Sequence, residues 1–214
     1  IQPGGRRRAL ETQQLRGIFV SKFGQPERTY LAGHSLGGMV ALQLAEKHGA
    51  QYDGALIMCS FPGGSRAEID YVYHTRAVFD AFYADVLPGS LFDGEPLTLP
   101  QFLAQYQLPI VNAVTTNPAG LTAAILAQQT GLPGASVEEY VTALIFATFF
   151  HHISADDLLD RTHGQPFFTN QNTVYASAGP VPGTEPLFAF LNATAERTAS
   201  TPAADPYVKR FYEP

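Results

Sequence analysis

Residues 33–37 form a Gly-x-Ser-x-Gly turn between a short apolar run and an apolar helical pattern. A serine oxygen held on a sharp turn from strand to helix projects above the sheet, where it can attack a carbonyl carbon. Because such a turn brings backbone segments close together, we expect a side chain at Gly33 or Gly37 to collide with neighbouring backbone. The spacing therefore predicts a nucleophile elbow with Ser35 as the nucleophile.

The amide of Leu36 directly follows the serine and falls at the N-terminus of the predicted helix. An amide in that place points to where the oxyanion of a tetrahedral intermediate would form, and the helix dipole favours negative charge there. One turn thus supplies a nucleophile and half of an oxyanion hole.

The flanking sequence favours this interpretation over a glycine-rich turn that merely exposes a serine. Residues 30–32 have the pattern of a buried strand, residues 36–48 that of a helix closed by Gly49, and residues 55–59 that of a second buried strand. Together they predict a βαβ unit with the serine turn between the first strand and the helix.

These residues resemble the α/β-hydrolase superfamily, in particular its serine esterases and lipases, in which Gly-His-Ser-Leu-Gly-Gly is a common form of the elbow. The resemblance is specific over residues 29–60. It implies that Ser35 is the nucleophile, that the Leu36 amide is an oxyanion donor, and that no cofactor is needed. The elbow turn itself would consist of Gly33, His34, Gly37 and Gly38. The fold implied is a partial α/β-hydrolase fold, a parallel sheet with flanking helices, which carries a large α-helical cap insertion.

In the resembling enzymes an acidic residue and then a histidine follow the serine, on loops after later strands. No later buried strand is indicated here, so we expect the acid and base outside this chain, and the chain to be a central slice truncated at both ends. His34 is too close to Ser35 to reach round to it, and His48 lies at the far end of the elbow helix. His163, in a loop near Asp160, is the remaining candidate; His74, His151 and His152 fall on predicted cap helices.

The periodicity divides the chain into three parts. Residues 1–65 are the predicted hydrolase core, residues 66–165 a helical cap or lid, and residues 166–214 a return segment toward a core outside the chain. Helices are predicted at residues 7–23, 67–83, 100–108, 119–130, 137–152, 158–162, 186–197 and 205–212, and a weak strand at 173–176. The first helix should lie with its apolar stripe against the sheet, and capping boxes should start the helices after Ser136 and Ser154.

Charge and composition limit the partners. The formal net charge is −6, and residues 66–165 carry eleven acidic against three basic residues, which argues against nucleic acid and anionic membranes. The longest apolar stretch, residues 143–150, is too short to span a bilayer, and no signal peptide is visible, so the sequence leaves the localisation undetermined, secreted or cytoplasmic.

Cys59, the single cysteine, is expected in the core. Adjacent His151 and His152 diverge on a helix, so no metal site is predicted.

The predicted activity is hydrolysis of carboxylic esters through an acyl-enzyme on Ser35. The aromatic and acidic cap favours neutral, bulky or aromatic esters, such as feruloyl-type esters, acylglycerols or aromatic polyesters like PET. Two alternatives remain: a prolyl oligopeptidase-like peptidase, which uses the same elbow, and a catalytically inactive fragment that acts as a binding module. Exposed sheet edges also predict self-association.

Overall fold

A computed structural model describes residues 3–127, 136–164 and 167–198 of the chain. The fold is mixed α/β and mostly helical, with a two-stranded parallel sheet in the described part. Its elements are α1 (Pro3–Phe23), β1 (Tyr30–His34), α2 (Leu36–His48), β2 (Gly54–Met58), α3 (Gly64–Phe82), α4 (Leu99–Phe102), α5 (Leu108–Thr116), α6 (Ala119–Leu126), α7 (Val137–Arg161) and α8 (Glu185–Thr194). The chain divides into two compact units between Glu68 and Ile69, inside α3.

The first unit contains the predicted βαβ unit. β1 and β2 pair in parallel, in a register that runs from Tyr30 opposite Gly54 to His34 opposite Met58. Helix α2 crosses between them and ends at His48, as predicted, before a single 3₁₀ turn. Burial of the apolar face of α2 on the sheet holds the unit together, and its core cluster consists of Ala9, Leu31, Ala41 and Leu44.

The prediction that both strands are buried is wrong: most of β2 is exposed, and of residues 30–32 in β1 only Leu31 is buried. Side chains of β1 alternate between buried and exposed, and in-register neighbours share a face, so Tyr30, Leu56 and Met58 lie together on one open face. In β2, Gly54 and Ile57 are partly buried and the other residues are exposed. Cys59, which follows β2, is also exposed rather than a core residue. The reason is that α2 packs on one face only, which apolar composition alone does not reveal.

Helix α1 ends at Phe23 as predicted and begins at Pro3, before the predicted start at residue 7, but its apolar stripe does not pack against the sheet. The helix contacts α2, and Ala9 is its buried residue in the core cluster. Polar contacts fix its middle, because Tyr52 donates to Gln13 at 2.5 Å and Gln13 donates to Gln51 at 2.6 Å. Four apolar side chains predicted to be covered are 49–65% exposed: Leu10, Leu15, Ile18 and Phe19.

The second unit is helical, and α7 is its longest element. The predicted capping box at its start is confirmed, since Ser136 and Glu139 each accept a hydrogen bond from the other's backbone amide. The predicted break at Ser154 is wrong. Ser154 instead donates to the carbonyl of His151 within the continuous helix, a bond that satisfies its hydroxyl without ending the helix. Around α7 the core packs Phe79, Phe102, Ile110, Leu144 and Phe149.

Other boundaries differ from the prediction. The segment predicted at 100–108 is part of a longer helical run, in which α4 and α5 are joined by a π-helical turn at Leu103–Gln107. Residues 173–176 are not a strand, although Tyr175 is buried against α8. Helix α8 ends at Thr194, before the predicted limit. The C-terminal end of the helix predicted at 119–130 and the whole of that predicted at 205–212 lie outside the described residues.

Candidate active site

Ser35 occupies the junction between β1 and α2 in a conformation that non-glycine residues rarely adopt. Its φ is 51° and its ψ is −123°. Backbone bonds fix it there: its amide donates to the Met58 carbonyl at 3.0 Å, and its own carbonyl accepts from the amides of Gly38 at 2.9 Å and Met39 at 3.3 Å. Such backbone strain costs about 1–3 kcal/mol, persists only where the surroundings impose it, and clusters at functional sites.

Two glycines allow this turn to close. A Cβ built on Gly33 would lie 2.1 Å from the carbonyl oxygen of Gly37, and one on Gly38 would lie 2.6 Å from the Cβ of Ser60. At Gly37 a Cβ would have nothing within 4 Å. The predicted collision is therefore confirmed at Gly33 and wrong at Gly37. A side chain at Gly33 would meet the carbonyl group of Gly37, whereas a side chain at Gly37 would point into open space. Gly38 is the second position at which only glycine fits.

The Leu36 amide is available to an incoming group. It belongs to the first turn of α2, where helical amides have no intrahelical acceptor, and no described residue accepts from it. The dipole of α2 adds positive potential at this end. This geometry suits stabilisation of a negatively charged oxygen next to Ser35. The Ser35 side chain is partly exposed, and no described residue forms a hydrogen bond with its hydroxyl.

The histidines of the first unit do not complete a catalytic pair with Ser35. His34 is exposed at the end of β1, immediately before the serine. His48 is the last residue of α2, about 18 Å along the helix from its first residue at 1.5 Å per residue. Neither ring has a described hydrogen bond to the serine hydroxyl.

The remaining histidines belong to the second unit. His151 is buried; its Nε2 lies 2.8 Å from the Leu91 carbonyl and its Nδ1 3.4 Å from Arg76. Burial, followed by the charge of Arg76, lowers the pKa of His151 to about 3, so the ring is neutral. Burial also lowers the pKa of His152, and His74 lies 3.0 Å from the hydroxyl of Tyr175. The contacts of His151 and His74 suit structural histidines.

His163, the candidate base within the chain, lies in the turn that follows α7. Its side chain is exposed and its φ is 55°, while its amide donates to the carbonyl of Asp160 at 3.0 Å. The predicted proximity of His163 and Asp160 is thus a backbone turn contact.

Glu68 is a titratable group that the sequence did not single out. It lies near the start of α3, which follows the loop after β2, and burial raises the pKa of its carboxyl to about 7. This carboxyl therefore holds a proton over part of the neutral range. Partial burial of Glu68 sets this pKa, and burial depends on packing between elements that the sequence pattern does not specify.

An apolar crevice of about 430 Å³ lies beside the first turn of α2. Its walls come from α1, β1 and α2, and Arg8 and Glu11 contribute opposite charges to its lining. The apolar lining includes Leu15, Leu31, Leu36, Val40 and Leu44. A crevice of this size and character can accept an apolar group.

Within the described ranges, no group of three His, Cys, Asp or Glu side chains could hold a metal ion. None of the helices described is both long and apolar enough to cross a membrane.

Comparisons of the chain with protein-family models, curated proteins and solved structures find no match.

The two elbow glycines give a matched pair of substitutions. Gly33→Ala should lower the free energy of unfolding by at least about 2 kcal/mol, because its methyl group would meet backbone that cannot move aside. Gly37→Ala should change the free energy by about 1 kcal/mol or less, since the added methyl faces open space on a helix. Urea denaturation followed by circular dichroism measures both, and equal effects would contradict this account of the turn.

Proposed function

We propose that this protein is a serine hydrolase that cleaves carboxylic esters through an acyl-enzyme on Ser35, and that its first unit is part of an α/β-hydrolase core. The observation that carries the proposal is the strained conformation of Ser35 at a strand-to-helix junction, with the Leu36 amide free beside it. Nucleophile elbows require that combination. The sequence turn, the parallel strands and the two tightly packed glycines support it.

The proposed reaction has two steps. The Ser35 oxygen attacks the ester carbonyl, the oxyanion accepts from the Leu36 amide, and the alcohol leaves with a proton as the acyl-enzyme forms. Water then attacks the acyl carbon and releases the acid and free Ser35. A base must take the serine proton in the first step, and this base and its acidic partner are not among the described contacts of Ser35.

Neutral esters with bulky apolar or aromatic groups are the proposed substrates. The crevice beside α2 is lined mainly by apolar side chains, and the net charge of −6 disfavours anionic compounds. Feruloyl-type esters, acylglycerols and aromatic polyesters all fit this description.

One observation favours a second candidate, a hydrolase-like binding module without catalysis. No described residue forms a hydrogen bond with the Ser35 hydroxyl, whereas an active serine normally pairs with a base. In this case the elbow would persist as a structural turn and the crevice would bind a ligand without cleaving it.

Labelling by a fluorophosphonate separates the two candidates. We expect the probe to form a covalent adduct on Ser35, and Ser35→Ala to abolish it, because the probe needs an activated serine oxygen. Ser21→Ala is the control, since Ser21 is exposed in the same unit and donates to the carbonyl of Ile18. Mass spectrometry identifies the modified residue. Folded protein that stays unlabelled while a known hydrolase reacts would favour the binding module.

A substrate panel tests the proposed specificity. Bulky neutral p-nitrophenyl esters and an aromatic polyester film should turn over faster than short acidic esters and a proline-containing peptide, because the crevice is apolar and the protein is anionic. Release of p-nitrophenol, soluble aromatic acids and cleaved peptide measures the four rates, and Ser35→Ala supplies the background. Faster peptide cleavage would indicate a peptidase instead.

Self-association through the open sheet is also proposed. The face with Tyr30, Leu56 and Met58 is exposed, and neither strand carries the charged or proline residues that commonly protect edges. Sedimentation velocity should show the average mass rising with concentration, and Leu56→Lys should reduce this rise. Leu108→Lys is the matched control, an exposed apolar side chain in the other unit. A monomer at all concentrations would refute the idea.

A further inference from the structure

The carboxyl end of β2 lies directly beside Ser35. The last pair of the sheet register joins His34 to Met58, and the Ser35 amide continues the ladder by donating to the Met58 carbonyl. Cys59 directly follows Met58, so its amide belongs to the same peptide unit as the carbonyl that Ser35 bonds. The backbone of Cys59 therefore lies next to Ser35, on the β2 side of the elbow.

Two features of the structure bear on the position of Cys59. Its φ is 42°, so it has, like Ser35, a positive φ that non-glycine residues rarely adopt. The next residue, Ser60, packs its Cβ and hydroxyl against Gly38 in the first turns of α2, where even a methyl group would not fit between them. Residues 59–60 are therefore held against the elbow by the packing of Ser60 on Gly38, while the Cys59 side chain is exposed.

We propose that Cys59 forms the wall of the Ser35 site on the β2 side, and that the size of the side chain at this position limits the substrate groups that reach the serine. This inference rests on the proposed function of Ser35. It assigns Cys59 no covalent chemistry with the substrate. A small residue here admits the bulky groups of the proposed esters, and a larger one would exclude them.

The single cysteine of the chain allows a test without mutation. Methanethiosulfonates transfer a group to a thiolate, which forms a mixed disulfide and releases methanesulfinate, and dithiothreitol reverses the modification. We expect the methyl adduct to change the rate of fluorophosphonate labelling of Ser35 little, and the benzyl adduct to slow it by about tenfold or more, a barrier change of about 1.4 kcal/mol. Reduction should restore the original rate.

The matched control moves the thiol away from the elbow. In a Cys59→Ser, Ser21→Cys variant, the same adducts lie on α1 and should leave the labelling rate unchanged. Cys59→Phe should mimic the benzyl adduct and slow hydrolysis of a bulky aryl ester more than that of an acetate. Circular dichroism verifies that each adduct stays folded.

The outcomes separate the two ideas. If the unmodified chain is not labelled at all, the proposed function fails and this inference fails with it. If the unmodified chain is labelled and the complete benzyl adduct at Cys59 is labelled at the same rate, the inference alone is wrong. Equal slowing by the adduct at position 21 would also overturn it, because the effect would not depend on closeness to Ser35.

Discussion

The close approach of Gly33 to the carbonyl of Gly37 is the constraint on which the first unit depends. With 2.1 Å between that oxygen and the place of a Cβ, no other residue fits at position 33. The approach lets the chain reverse from β1 into α2 within one residue, and that residue, Ser35, takes the strained conformation. Hydrogen bonds from Gly38 and Met39 and the packing of α2 on the sheet offset the strain.

Strain is concentrated at one edge of the sheet. Ser35 and Cys59 follow the carboxyl ends of two neighbouring parallel strands, and both have positive φ. In open parallel sheets, ligands bind at this edge, because loops and helix N-termini gather there. The two residues with positive φ, the free Leu36 amide and the carboxyl ends of the strands therefore all lie at the edge where ligands are expected.

The second unit contains a buried arginine with several hydrogen-bond partners. Arg76 is fully buried and bonds Asp80 at 2.7 Å and the carbonyls of Pro88 and Gly89 at 3.1 and 3.2 Å. A buried charge needs such partners, since losing one would leave it unpaired at a large cost. His151 completes the set as a neutral ring beside Arg76. These contacts organise the helices around α3 and α7.

Local sequence determined the features that contiguous residues control. The serine turn, the extent of α2 and the capping box of Ser136 and Glu139 were all predictable, because each depends on hydrogen bonds or steric limits within a few residues. The α/β character and the parallel pairing also followed from the strand–helix–strand pattern. The continuity of α7 through Ser154 did not, since its hydroxyl can either cap a helix or bond within one.

Only the tertiary structure decided which groups are covered and which meet. Composition predicted that β2 and Cys59 are buried, but α2 covers one face of the sheet, so most of β2 and Cys59 are exposed. A side chain would collide at Gly38 and not at Gly37, because Ser60 packs against Gly38. Ser60 follows β2 and is therefore far from Gly38 in the sequence. The pKa of Glu68 likewise follows from burial. Each of these properties depends on distances between residues far apart in the chain, and a pattern of residue types does not specify such distances.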